Sequence, residues 1–203
     1  MREEKKSDKI IAIYHAIEDL VAEGADLSSM RVSDIAAKAG IGKGTTYEYF
    51  SSKEEMVVKA LVFSVDSMVK RILNRMEELN TFQEKFILLL DEMEEKVKQR
   101  ACILKYLHMV SDMNLCEQMH EVLLEDSEMK KSSPIRLIQY LLETARDEGI
   151  IEKDYPQDYL ETTFFSRIIS FVLYVDGDFG IKERNVALMK LELYEGLCRE
   201  LRA

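Results

Sequence analysis

Residues 39 to 56, AGIGKGTTYEYFSSKEEM, carry the side chains whose types and spacing could do chemistry. Three glycines, Gly40, Gly42 and Gly44, stand beside two threonines and the aromatics Tyr47, Tyr49 and Phe50. Projected at about 100° per residue, Lys43 and Tyr47 share one face of a helix, and Thr45 and Tyr49 share a second with Gly44 beside it. Thr46 and Phe50 share a third. An amine and a phenol on one face suit a phosphate, the amine supplying charge and the phenol one hydrogen bond. Gly44 lets a backbone approach closely, and Thr45 can offer its methyl to a thymine or its hydroxyl to a base edge. Thr46 and Phe50 turn inward as anchors. The target this chemistry fits is double-stranded DNA. A structural tyrosine packed between helices is the competing reading of Tyr47. Lys53 opens a helix, where the dipole disfavours a basic residue, and a phosphate contact explains it better than an indifferent surface lysine.

Elsewhere the chemistry is sparse. There is no nucleophile elbow, no phosphate-binding glycine loop and no His-Glu-x-x-His, so no catalytic residue, cofactor or enzymatic activity is expected. Glu117-x-x-His120 has the spacing used by di-iron bundles, but the second such pair is missing, and no metal is expected. Tyr106, Met109, Met113, Tyr140, Phe164 and Phe165 could line a cavity for a small molecule, since methionines and aromatics suit adaptable pockets. For any one of them, ordinary core packing is the rival reading.

The elements that must hold these residues read as helices throughout. Ile10, Ile13, Tyr14, Ile17, Leu20 and Val21 recur at helical spacing and stop at Gly24. RVSDIAAKAG predicts a short helix, GKGTTYEYF a second, and SSKEEM opens a long one, with Ser51 or Ser52 as N-cap and Glu54 and Glu55 in its first turn. A short helix, a glycine turn and another short helix make a helix-turn-helix. Gly40 takes the turn, and the small residues Ala36 and Ala39 let the two helices cross closely. Leu, Met, Glu, Lys and Ala abound and only two prolines interrupt, which predicts an all-α protein of about nine helices. The pattern predicts the first helix and the helix-turn-helix over 1–52 and a larger helical region over 53–203, with apolar faces at 156–175 and 184–201.

A net charge of −10 argues against nucleic acid if it is taken as a sum. Its distribution does not. Residues 38 to 53 balance to +2, whereas residues 54 to 203 carry 20 basic and 29 acidic side chains. That acidic remainder also excludes an architectural DNA binder, which depends on a broad positive surface. The longest apolar runs, such as Phe86 to Leu90, are too short to span a membrane. Three scattered cysteines and a charged N-terminus fit a reduced, cytoplasmic protein.

VSDIAAKAGIGKGTTYEYFSSKEEM resembles the DNA-binding signature of the TetR/AcrR transcriptional regulators. Ile35, Ala36, Ala39, Gly40, Lys43, Gly44, Tyr47, Tyr49, Phe50, Lys53 and Glu54 match it, over a stretch from residue 8 to about 56. Two positions depart. Arg31 stands where the family often has a capping Thr, leaving Ser29 as the alternative cap, and Gly42 stands where Ser or Thr usually opens the recognition helix. The resemblance implies a three-helix DNA-binding domain over 1–52 and a ligand-binding and dimerisation domain over 53–203. It implies a homodimer joined through its last two long helices, for which the apolar faces of 156–175 and 184–201 are candidates, bound to a palindromic DNA operator, most often as a repressor. It also implies a small-molecule effector, of unknown identity, whose binding moves the fourth helix and respaces the two recognition helices. The alternative from another class is an all-helical metal or small-molecule protein with an incidental helix-turn-helix.

Overall fold

The structure, a computed structural model, describes residues 2–27, 29–98, 134–177 and 184–202. Among them the chain forms eight helices and no strand. These are α1 (Arg2–Ala22), α2 (Val32–Lys38), α3 (Lys43–Thr46), α4 (Lys53–Glu77), α5 (Phe82–Lys98), α6 (Pro134–Asp147), α7 (Gln157–Asp176) and α8 (Val186–Arg202). The all-α expectation holds. ACILKYLHMVSDM (101–113) and LCEQMHEVLLEDSEM (115–129), whose apolar spacing also predicts helices, lie outside the described residues, and α1 begins earlier than the apolar spacing indicated, at Arg2.

Two compact units divide the chain, and one division falls within α4, between Ser67 and Met68. In the first unit, Ile13, Tyr14, Ala16, Ile17 and Val21 form the inner stripe of α1, the spacing of one helical face. Val32 and Ile35 of α2 and Phe50 meet it. From Met56 to Val62, α4 is buried on nearly every side, with Lys59 as the exception. The Tyr14 ring packs on Phe50 at 5.9 Å and on Phe63 at 5.0 Å between centroids. Each Ile or Met here contributes about 1.5–3 kcal/mol by leaving water, so the short helices α2 and α3 are held by this core and not by their own propensity.

In the second unit α5 packs against α6, α7 and α8. Its Phe82 and Phe86 meet Phe164 of α7 and Tyr194 of α8, with ring centroids 5.9 to 6.3 Å apart. Burial pushes the Tyr194 hydroxyl up to about 12, so it stays protonated. The start of α5 is fixed by reciprocal capping: Thr81 Oγ1 accepts the Glu84 N–H at 3.2 Å, and the Glu84 carboxylate accepts the N–H of Thr81 at 2.9 Å. Two of the buried charges are paired across helices. Lys190 of α8 pairs with Asp91 and Glu94 of α5. Glu92 of α5, 4% exposed, lies between Arg71 and Arg75 of α4.

Candidate nucleic-acid interface

The interface is built from the turn outward. Helix α2 ends in a Schellman motif: the Gly40 N–H donates to Ala37 O at 3.2 Å and the Ile41 N–H to Ala36 O at 3.0 Å. Gly40 has φ +69°, a conformation that costs an L side chain about 1 kcal/mol or more and glycine little. Ile41 then folds back onto the core, and Ala36 is buried beneath the crossing. At the other end of α2 the N-cap is Arg31, in extended conformation and without a side-chain capping bond. Ser29 does not replace it, because its hydroxyl donates to Asp26 O at 3.2 Å.

Gly42 is the N-cap of α3, also extended and without a side-chain bond. The helix expected over 42–50 is shorter than the sequence suggested. Its α-helical part is one turn, Lys43–Thr46. Beyond it the Glu48 N–H reaches Thr45 O at 3.2 Å and the Tyr49 N–H reaches Thr46 O at 3.1 Å, the tighter i to i+3 pattern, and the Phe50 N–H shares Thr46 O at 3.1 Å. The cause is composition: glycine, two β-branched residues and two tyrosines in six positions are weak helix formers. Thr46 Oγ1 also donates to Lys43 O at 2.6 Å, drawing the turn closed. Thr46 is fully buried and Phe50 nearly so, which anchors the element from below.

What α3 presents outward is Lys43, Gly44 and Tyr47, with Tyr47 50% exposed and Thr45 half-buried. Lys43 makes no ion pair among the described residues, whereas nearby Lys38 is paired with Glu23 at 2.5 Å. Gly44 has an ordinary helical conformation, and a Cβ placed there would meet nothing within 4 Å. Glycine is therefore not demanded at 44 by the chain itself. Tyr49 departs from the outward face assigned to it. It is half-buried and packs against the core of the first unit. Lys53 is the first residue of α4 and is half-buried.

The capping of α4 positions Lys53. Ser52 Oγ accepts the Glu55 N–H at 3.0 Å, and the Glu55 carboxylate accepts both the N–H and the O–H of Ser51 at 2.6 Å. Glu55 also pairs with Lys59 at 2.7 Å. The Lys59 contact first, then the Ser51 bonds, hold this carboxyl down at about 2. Its charge adds to burial, the larger cause, in pushing the Tyr14 hydroxyl up to about 12. The Ser-x-x-Glu spacing signalled this cap, but the sequence left Ser51 and Ser52 as equal candidates.

Of the residues expected around an effector, Tyr106, Met109 and Met113 lie outside the described residues, as do Glu117 and His120. Tyr140 is half-buried on α6. Phe164 sits fully buried in the aromatic cluster, but Phe165 is 46% exposed on the outer side of α7. Neighbours on a helix point about 100° apart, and Phe165 faces away from the cluster that holds Phe164. Sequence reasoning missed Lys85, which is 8% exposed on α5; a lysine flanked by phenylalanines was the available signal. Among the described residues no three His, Cys, Asp or Glu side chains are grouped to hold a metal ion, and no helix is long and apolar enough to cross a membrane.

Comparison with known proteins places this geometry. Residues 13–60 match the family described as bacterial regulatory proteins, tetR family. The chain is 39% identical over 56 residues to an HTH-type transcriptional regulator of Staphylococcus aureus (strain MRSA252), covering 28% of this chain and 29% of that protein. It is 30% identical over 88 residues to the fatty acid metabolism regulator protein of Bacillus subtilis (strain 168), covering 43% of this chain and 45% of that one. These matches thus span less than half the length of either curated relative. The fold follows the transcriptional regulator FadR from Bacillus subtilis, solved in complex with stearoyl-CoA, over 93% of this chain and 97% of that one, with a TM-score of 0.66 at 18% identity. Residues 13–60 thus carry a helix-turn-helix that matches the tetR family of bacterial regulatory proteins, and the likeness to an HTH-type transcriptional regulator is over 56 residues.

Proposed function

We propose that this protein is a ligand-responsive transcriptional repressor that binds a palindromic operator as a homodimer and is released by a small amphipathic effector. The observation that carries the reading is the α3 surface. Lys43, Gly44 and Tyr47 are presented outward over a buried Thr46–Phe50 anchor, inside the segment that matches the tetR family. Lys43 and Tyr47 meet phosphates, Lys53 adds a third phosphate contact, and Thr45 reads a base edge beside Gly44. Support for a dimer comes from α7 and α8, where Tyr159, Phe165, Leu188 and Leu191 are large apolar side chains left exposed. A two-fold pair would present two recognition elements to two half-sites. Support for an acyl effector is the likeness to regulators named for fatty acid metabolism and solved with stearoyl-CoA. Helix α4 carries residues of both units, so it is the element by which an effector would act on the DNA-binding end.

The test is selection of DNA from a random pool, followed by titration of the selected duplex with lauroyl-CoA. The reading expects a symmetric consensus and its release by micromolar lauroyl-CoA. Failure to enrich any sequence would remove the DNA-binding reading, and release by no acyl compound would remove the effector class.

A further inference from the structure

Lys85 stands apart among the buried cations of the second unit. Lys190, equally buried, contacts two carboxylates, and Arg167 contacts Glu200 at 2.6 Å. The Lys85 amine meets only neutral oxygens among the described residues: Tyr140 Oη at 3.2 Å and Thr144 Oγ1 at 3.5 Å. It lies over the Tyr140 ring, 4.7 Å from the centroid. The carboxylate next to it in sequence, Glu84, is directed back to Asn80 and Thr81. Burial of an ammonium with no carboxylate bonded to it is costly, and a hydroxyl, a π face and the charge of Glu84, which attracts the amine without bonding it, offset only part of that cost.

The unused hydrogens converge. The Thr144 hydroxyl donates to Tyr140 O at 3.0 Å, so towards Lys85 it is an acceptor only. The Tyr140 hydroxyl accepts from Lys85 and keeps its own proton without an acceptor among the described residues. An ammonium N–H and a phenolic O–H, with heavy atoms 3.2 Å apart, match the two oxygens of a carboxylate or phosphate, a charge-assisted pairing. We propose that Lys85 and Tyr140 bind the oxyanion of the effector's head group, with the apolar part of the effector in the second unit. This rests on the effector reading above and assigns that effector a negative charge.

The experiment titrates the full-length protein with laurate, lauroyl-CoA and 1-dodecanol, comparing wild type, Lys85→Met and Tyr140→Phe by calorimetry, with operator release measured in parallel. Lys85→Met should weaken anion binding by about 10- to 100-fold, the worth of a hydrogen bond to a charged group. Tyr140→Phe should weaken it several-fold, and dodecanol should bind all three alike. A loss seen with laurate identifies a carboxylate, and a loss confined to lauroyl-CoA identifies a phosphate. Without ligand, the melting midpoint of Lys85→Met should stay level or rise, since an incompletely compensated charge has gone. Equal weakening of dodecanol, unchanged anion affinity in Lys85→Met, or no anion binding by the wild type would each overturn the site. If the anions bind through Lys85 but leave the operator bound, the site stands and the effector reading falls. If they release wild type and Lys85→Met equally, the effector reading stands and the site falls.

Discussion

Glu55 shows how one side chain serves both stability and the interface. It caps α4 through Ser51, pairs with Lys59, and so fixes the backbone that carries Lys53. Its carboxyl is held at about 2, against an ordinary 4.5. A depressed folded value means the stabilisation is complete above the unfolded pKa and is lost as pH falls from about 4.5 towards 2. Replacing Glu55 with Gln should therefore cost about 1–2 kcal/mol at pH 7, a figure reduced for partial solvent exposure. The difference between the two proteins should shrink at pH 3. Urea unfolding at both pH values checks this, and a difference constant with pH would assign the cost to packing. The spacing of Ser52 and Glu55 was legible in the sequence because capping is local. The Glu92–Arg71–Arg75 pairing and the isolation of Lys85 were not, because each depends on which helices meet.

At the scale of the element, α3 is the exception to easy reading. Its anchors followed from helical spacing, and Thr46 and Phe50 are buried. Its length did not, because regular projection assumes a helix that this composition cannot sustain past Thr46, and Tyr49 was misdirected. The two glycines at its start separate stability from function. Gly42 is in an ordinary extended conformation with room for a side chain, so Gly42→Ser should add a few tenths of a kcal/mol and leave DNA affinity unchanged or improved. Gly44→Ala should add about 0.5–1 kcal/mol of stability, since its Cβ meets nothing in the protein, yet weaken DNA binding if a backbone approaches there. Thermal midpoints beside duplex affinities separate the two effects. Undiminished affinity in Gly44→Ala would show that no close approach occurs at 44.

For the whole molecule, the all-helical architecture was legible from periodicity and from the scarcity of proline and glycine. Helix α4 runs unbroken from one unit into the other, and no composition change marks Ser67. The outer apolar residues of α7 and α8 carry the assembly claim: Phe165→Glu together with Leu188→Glu should convert a dimer to a monomer in sedimentation while the helical content stays unchanged. Persistence of the dimer would place its interface elsewhere. The account's central claim, that α3 reads DNA with phosphate contacts on one side and a base contact on the other, is tested most directly by one set of affinities. Wild type, Tyr47→Phe and Thr45→Ala are each titrated against selected and scrambled duplex over a range of salt. With roughly eight phosphates neutralised per dimer, log K should fall against log salt with a slope of about −7. Tyr47→Phe should lose about 1 kcal/mol per half-site on both duplexes, and Thr45→Ala should lose preference for the selected duplex more than total affinity. Salt-independent binding, or a Tyr47→Phe loss no larger than its fall in thermal stability explains, would contradict the account.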